Sequence, residues 1–144
     1  MSALVLDLTG LLGATRQLDR MADSNREKLF DVVGASLESQ SRERLIETKT
    51  DPEGERWDDW SEAYSARRPA KGGILDLNGD LIDSIAFETT QDAIIVGSNL
   101  VYALTHQDGD EDRKIPRRSY LGVSAQNLDD ICDLTVRFFV EATA

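Results

Sequence analysis

The residue best suited to acid–base chemistry is His106, the only histidine in the chain. Its ordinary pKa lies near neutrality, and the acidic run 108–112 could orient the imidazole as a general base. Such a base needs a nucleophile, but the single cysteine, Cys132, falls in an apolar helical stripe, where a thiol behaves as a small buried hydrophobe. The sequence shows none of the usual nucleophile-elbow, zinc or phosphate-loop motifs. We therefore expect a protein that is not an enzyme and that binds no cofactor.

The acidic run itself raises the question of a calcium site. Asp108, Asp110, Glu111 and Asp112 supply the hard oxygen ligands that calcium prefers. A calcium loop of the EF-hand type alternates its acids and ends on a glutamate, whereas arginine and lysine follow almost at once here. The pattern favours a solvated, mobile loop at about 107–116 that holds no metal ion.

Basic residues follow the acids and also occur earlier in the chain. They could bind phosphates, but the formal net charge is −11 and no aromatic residues are interleaved with them as stacking platforms. An acidic patch beside a basic patch suits charge-complementary docking on another protein, including a second copy of the same chain. The predicted docking residues are Asp108, Asp110, Glu111, Asp112, Arg113, Lys114, Arg117, Arg118, Arg67 and Arg68.

The composition fits one folded domain, which we place at residues 1–144. A chain of 144 residues with 40% hydrophobic residues can bury a single core. The excess of 27 acidic over 16 basic residues argues against wrapping nucleic acid or docking on anionic lipid, because both need a basic surface. One cysteine cannot form an internal disulfide, and the apolar start is too short to span a membrane, so synthesis in the cytoplasm is expected.

A small sheet is predicted from three short runs. Leucines alternate with other residues over 4–8, which is typical of a strand with one buried face. A single helical turn precedes a hairpin whose strands lie at 85–89 and 94–96, joined by the polar turn 90–92. The two hairpin strands are expected to extend the sheet that the first strand begins.

Two helices are predicted directly after the first strand. Thr9 is placed to cap a helix over 10–22, and Ser24 and Glu27 have the spacing of a capping box for a longer helix that begins near Asn25. The longer helix must end before the sequence TDPEGERW, because proline and glycine interrupt it there. Its predicted apolar stripe is formed by Leu29, Val32, Val33, Leu37 and Leu45.

Shorter helical segments are predicted around the tryptophans and before the acidic loop. Trp57 and Trp60 have a spacing that suits one face of a short helix, with Ser61 or Asp58 near its start. The segment 100–107 has the apolar spacing of one or two helical turns.

The last helix has a clear amphipathic pattern and a cap at Ser124. Its predicted apolar stripe is formed by Leu128, Ile131, Cys132, Thr135, Phe138 and Phe139. Together the elements predict an α+β fold, with a small antiparallel sheet of about three strands covered by a long helix and a C-terminal amphipathic helix.

The chain also contains four ordered segments: ETKTDPEGERW, GGILDLNGDLIDSI, IIVGSNLVYALTHQDG and IPRRSYLGVS. Their order and spacing over about two thirds of the chain resemble the phage virion morphogenesis family, which includes tail-completion and head-to-tail joining proteins of Mu-like phages. The matching positions are Asp51, Pro52, Gly54, Trp57, Leu75, Gly79, Leu81, Ser84, Ile85, Val96, Gly97, Asn99, Tyr102, Ala103, His106, Gln107, Ile115, Pro116, Arg118, Leu121 and Gly122. The departures from the family pattern are Asn78, Asp108, Ser119 and Tyr120.

The resemblance implies a non-enzymatic structural protein of the virion, located at the neck or tail end after synthesis in the host cytoplasm. The expected partners are further copies in a ring, with six subunits the expected number, and other neck or tail proteins. DNA would pass nearby without specific binding, and the acidic net charge would repel its backbone. No contact with a membrane is expected.

A second class of function fits the acidic composition. A small acidic module that regulates or inhibits a partner protein would use its carboxylates to imitate nucleic acid. The bases at 113–118 favour assembly over such a mimic, since a mimic has no need of them.

Overall fold

The computed structural model describes residues 2–7 and 23–143. The elements of this part are β1 (Ser2–Asp7), α1 (Asp23–Glu43), a π-helical segment (Arg44–Thr48), α2 (Glu62–Arg67), α3 (Asp80–Ser84), β2 (Ala86–Thr89), β3 (Ala93–Ser98), α4 (Ala103–Asp108) and α5 (Ala125–Thr143). They confirm the predicted α+β class. The predicted cap at Thr9 and the helix over 10–22 lie outside the described residues, as does the last residue of the predicted first strand.

The three strands form one antiparallel sheet in the order β1-β3-β2. Leu4 of β1 and Phe87 of β2 both lie opposite Val96 of β3, and Val96 and Ile94 are buried on the inner face. In the β2–β3 turn, the hydroxyl of Thr90 accepts two backbone N–H groups. The predicted hairpin and its pairing with the N-terminal strand are confirmed.

Helix α1 covers the inner face of the sheet, but its buried face is rotated from the predicted one. Leu29, Val33 and Leu37 are buried as predicted, and so is Phe30, which the predicted stripe left out. Val32, which the stripe included, is 43% exposed. At about 100° per residue, Val32 lies roughly 60° from Leu29 on the side away from Phe30, which places it outside the buried arc.

The end of α1 is fixed by Lys49. After the π-helical segment Lys49 adopts a left-handed conformation with φ 54°, and its N–H donates to the carbonyl oxygen of Arg44 at 3.0 Å. Its ammonium group donates to the carbonyl oxygens of Leu45 and Ile74. The predicted end of the helix before TDPEGERW is confirmed.

The sequence predicts a short helix that carries both tryptophans, but in the structure neither tryptophan lies on a helix. Both precede α2, which is capped by the Ser61 hydroxyl accepting the N–H of Tyr64 at 3.3 Å. Trp57 is only 7% exposed, and its indole N–H donates to the carbonyl oxygen of Ser119 at 3.0 Å. Trp57 is therefore held by a distant backbone segment, which helical spacing does not reveal.

Helix α5 packs against α1 and begins at the predicted cap. The Ser124 hydroxyl accepts the N–H of Asn127 at 3.0 Å, and the Asn127 side-chain oxygen accepts the N–H of Ser124 at 3.1 Å. Ile131 and Thr135 are buried as predicted, whereas Cys132 is exposed. The predicted burial of Cys132 is wrong. The buried residues of α5, Asn127, Ile131 and Thr135, recur every four residues, and Cys132 lies to one side of this row.

The close contact between α1 and β2 yields a stability prediction. A Cβ at Gly34 would lie 2.3 Å from the ring of Phe87. Overpacking costs about 1–3 kcal/mol and outweighs the helix propensity that alanine adds, about 1 kcal/mol. Gly34→Ala is expected to lower the free energy of unfolding by about 1 kcal/mol in urea denaturation.

Two further variants test whether the contact with Phe87 causes this loss of stability. Ser39→Ala, at an exposed position of the same helix, should be neutral or slightly stabilising. In a Phe87→Leu background the cost of Gly34→Ala should shrink, because the clashing ring is gone. An equal cost in both backgrounds would show that the Phe87 contact is not its source.

Candidate functional site

The site is organised around a mostly buried segment, residues 118–122, that belongs to no helix or strand. Gln107, at the end of α4, binds it through both ends of its amide. Its side-chain oxygen accepts the N–H groups of Tyr120 and Leu121 at 3.1 and 3.0 Å, and its side-chain nitrogen donates to the carbonyl oxygen of Leu121 at 3.0 Å. A buried backbone without a neighbouring strand needs such partners, and Gln107 replaces the strand here.

Arg44 supplies the second set of partners and was not recognised from the sequence. It is 6% exposed, and its guanidinium donates to the carbonyl oxygens of Tyr120 and Gly122 at 3.0 and 3.2 Å. It also donates to the side-chain oxygen of Asn127 at the start of α5. Burial lowers the pKa of Arg44, and nearby acids, Glu53 first among them, oppose the change. Arg44 thus ties the end of α1 to the segment and to α5.

The remaining contacts to the segment come from other resemblance motifs. The Trp57 indole reaches Ser119, the Tyr120 hydroxyl donates to the carbonyl oxygen of Ala103 at 2.9 Å, and Pro52 packs on Gly122 so closely that a Cβ there would lie 2.3 Å from its ring. Three of the four motifs, the first, third and fourth, therefore meet at one structural joint.

Some of the other motif positions have local structural roles, and for the rest the contacts define no role. The Asp51 carboxylate accepts the N–H of Glu55 at 2.9 Å, and the Ser84 hydroxyl bonds the hydroxyl of Ser98 at 2.7 Å. Gly79 adopts a left-handed conformation with φ 84° at the start of α3. Leu81 is buried, and Gly97 pairs with both edge strands. Gly54 has φ 92°, and Asn99 is exposed. Leu75 and Pro116 line a pocket, and the Tyr102 ring contacts the ring of His106.

His106 is partly buried beside this joint and does not have the geometry of a general base. Its Nδ1 atom is buried and has no hydrogen-bond partner in the described part of the chain. Burial lowers the pKa of His106, and the positive charges of Arg118 and Arg113 lower it further. Asp110, which was expected to help orient the imidazole, instead binds Arg113.

The acidic and basic run forms a closed turn. Asp110 and Ile115 exchange two backbone hydrogen bonds, each of 2.8 Å. The Asp110 carboxylate accepts the side chain of Arg113 at 2.6 Å and its N–H at 2.9 Å, and these hydrogen bonds lower the pKa of Asp110. The guanidinium of Arg113 also reaches the hydroxyl of Thr105 at 3.1 Å. No cluster of three or more potential metal ligands occurs among residues 2–7 and 23–143.

A pocket of about 370 Å³ opens between this turn and α2. We call it the Trp60 pocket. Its wall combines the rings of Trp60, Tyr64 and His106 with four bases and several apolar side chains: Arg68, Arg113, Lys114, Arg118, Leu75, Leu77, Ile115 and Pro116. The Arg68 guanidinium stacks 3.6 Å from the centre of the Trp60 ring and donates to the carbonyl oxygens of Lys71 and Gly72. The pocket therefore has an aromatic wall and a basic rim.

The predicted docking residues do not all lie at the surface. Arg118 is 6% exposed, and its guanidinium donates to the carbonyl oxygens of Asp58 and Asp59 at 2.9 and 3.0 Å. Its expected exposure was wrong, because its guanidinium is buried against the backbone that precedes Trp60, where it also lines the Trp60 pocket. Three of the other predicted docking residues, Arg68, Arg113 and Lys114, meet at the Trp60 pocket. Asp110 is half-buried in the turn. The remaining five are exposed: Arg67, Asp108, Glu111, Asp112 and Arg117.

The comparisons with known proteins point to one family. The model of the phage virion morphogenesis family matches residues 6–139. A relative from Escherichia phage Mu, named "Putative capsid assembly protein G", is 32% identical over 127 residues, which cover 81% of this chain and 81% of the relative. No solved structure matches the chain. Within the described residues no helix has the length and apolarity needed to cross a membrane.

The role of Arg44 can be tested by its removal. Arg44→Met keeps much of the volume but leaves the carbonyl oxygens of Tyr120 and Gly122 and the Asn127 side chain without their charged donor. We expect the free energy of unfolding to fall by about 3 kcal/mol in chemical denaturation. Arg137→Met, at an exposed position of α5, is the matched control and should change it by less than about 0.5 kcal/mol. Equal effects of the two variants would refute the role of Arg44.

His106 provides a test of the electrostatics near the pocket. Because its pKa is lowered in the folded state, the unfolded chain binds the proton more readily, and stability should fall as the pH drops below the ordinary value of 6.5. His106→Gln should remove this component, so the difference in unfolding free energy between variant and wild type should depend on pH. The single imidazole can be titrated by NMR, and a midpoint at or above 6.5 would contradict the expected burial.

Proposed function

The chain belongs to the phage virion morphogenesis family, and from this premise we propose that it is a non-enzymatic structural protein of a tailed phage, forming part of the neck or tail-end ring in head-to-tail joining and tail completion. The family match extends from β1 almost to the end of α5. The proposal therefore concerns the whole described fold.

The observation that carries the proposal is how the motif residues use their polar groups. Gln107, Trp57 and Arg118 direct their side-chain donors and acceptors to the protein's own backbone. Groups engaged in this way are not available to act on a substrate. What they hold in place is a surface, the Trp60 pocket with the adjoining charged turn, which suits recognition of another protein.

The proposed partners follow from this surface and from the family. A closed ring requires each subunit to present two different complementary surfaces, and six subunits is the number we expect. Other neck or tail proteins would contact the ring on its two sides. DNA would pass through without specific binding, because a chain with net charge −11 repels a polyanion. The protein would thus be located in the virion after its synthesis in the host cytoplasm.

A role in building the head is the second candidate. It is favoured by the name of the Mu relative, which refers to capsid assembly. The two roles differ in the last structure that forms when the protein is missing. Loss of a joining protein leaves finished heads and finished tails, whereas loss of a capsid assembly protein stops the head before DNA is packaged.

Removal of the gene from its phage is the decisive experiment. We expect electron microscopy of the lysate to show filled heads and full-length tails that are not joined, and purified protein added to the lysate should restore infectious particles. Mass spectrometry of purified wild-type particles should detect the chain. Empty or aberrant heads would support the head-building role, and normal particles without the protein would overturn both candidates.

A further inference from the structure

The Trp60 pocket has the composition of a strong protein-binding site. Trp60, Tyr64 and Arg68 are the residue types that most often dominate the energy of protein interfaces. Lys114 is exposed on the rim, and the Arg113 side chain is 62% exposed although one of its nitrogens binds Asp110. A chain of net charge −11 thus displays a local positive rim around an aromatic wall.

A second surface has the opposite character. Asp129, Cys132, Asp133 and Val136 lie at i, i+3, i+4 and i+7 of α5 and therefore share one face. All four are exposed, Val136 to 61%. Neither aspartate forms an ion pair within the described part of the chain, and like charges four residues apart repel each other by a few tenths of a kcal/mol. We call these four residues the α5 face.

The two surfaces complement each other in charge and in chemistry, and we propose that the α5 face of one copy docks in the Trp60 pocket of the next. Cys132 and Val136 would contact the aromatic wall, while Asp129 and Asp133 would pair with the rim bases. This inference rests on the proposed function, because the pocket and the α5 face are the two different surfaces that a ring requires.

The docking must occur between copies. Ile131 and Thr135 anchor α5 against α1 within its own chain, so that the α5 face points away from that contact. The pocket is built from other elements, namely α2, the turn after α4 and the loop before α3. Since the two surfaces differ, the contact is head-to-tail, and its repetition gives a chain that closes when the rotation per subunit allows it.

Nucleic acid fits the pocket less well than this helix does. Asp59 and Glu62 lie beside Trp60, and Glu111 and Asp112 are exposed at the tip of the turn. A long polyanion would have to run past these carboxylates to reach Arg68, Arg113 and Lys114. A helix face with two aspartates and an apolar centre reaches the bases and the aromatic wall over about 10 Å of its length.

The test uses two variants that each destroy one surface. The pocket variant is Tyr64→Ala/Lys114→Glu, and the face variant is Asp129→Lys/Asp133→Lys. Glu47→Lys/Glu55→Lys, at exposed acids outside both surfaces, is the control with the same charge change as the face variant. Circular dichroism and thermal melts establish that each variant folds before its assembly is measured.

Sedimentation velocity should show concentration-dependent oligomers for wild type and control, and monomers for each interface variant alone. An equimolar mixture of the two interface variants should form a dimer and nothing larger, because it contains one intact pocket and one intact face that can meet. A mixture that stays monomeric, or single variants that assemble like wild type, would overturn the inference.

Cross-linking gives a second readout that also captures weak contacts. Leu77, at the pocket and 41% exposed, can be changed to cysteine, so that a short bismaleimide joins it to Cys132 of a neighbouring copy. We expect a ladder of products for Leu77→Cys, and none beyond a dimer for wild type or for Val32→Cys/Cys132→Ser. Absence of the ladder would refute the contact between the α5 face and the pocket, even where the gene deletion confirms the joining role. A ladder, together with empty heads after the gene deletion, would retain this contact and reject the joining role.

Discussion

The structure depends on satisfying the backbone of a buried segment that has no neighbouring strand. Residues 118–122 run through the interior, and buried N–H and C=O groups without partners each cost about 1–3 kcal/mol. Side chains of Gln107, Trp57 and Arg44 provide the missing partners from three distant parts of the chain. Because one segment is bound from three directions, α1, α4 and the start of α5 are fixed relative to one another by the same set of hydrogen bonds.

This constraint accounts for the spacing of the resemblance motifs better than a reaction centre would. Pro52 and Gly122 belong to different motifs and touch, so neither can change without the other moving. Gln107 presents an acceptor to Tyr120 and Leu121 and a donor to Leu121, a combination that an amide side chain provides. The motifs thus describe a scaffold that holds the adjoining surface in place.

The sequence predicted those features that depend on local periodicity and failed on those that depend on distant partners. The β2–β3 hairpin, the stop after α1 and the Ser124 cap follow from turn and capping residues close in sequence. Arg44 and Arg118 gave no local signal, since a buried arginine looks like any surface arginine until its carbonyl partners are placed beside it. Cys132 was misplaced because periodicity defines an apolar stripe but not which edge of it meets α1.

Burial of Arg118 changes the meaning of the charged run as a whole. Had all the bases at 113–118 been exposed, the run would be a general patch of both signs with little directional preference. With Arg118 committed to the carbonyl oxygens of Asp58 and Asp59, its charge instead positions Trp60 at the pocket, and Arg113 and Lys114 remain as the rim. Because Arg118 fixes the backbone before Trp60 and Arg68 stacks on its ring, Trp60 loses little conformational entropy on binding, and such preorganisation favours specific docking over loose electrostatic attraction.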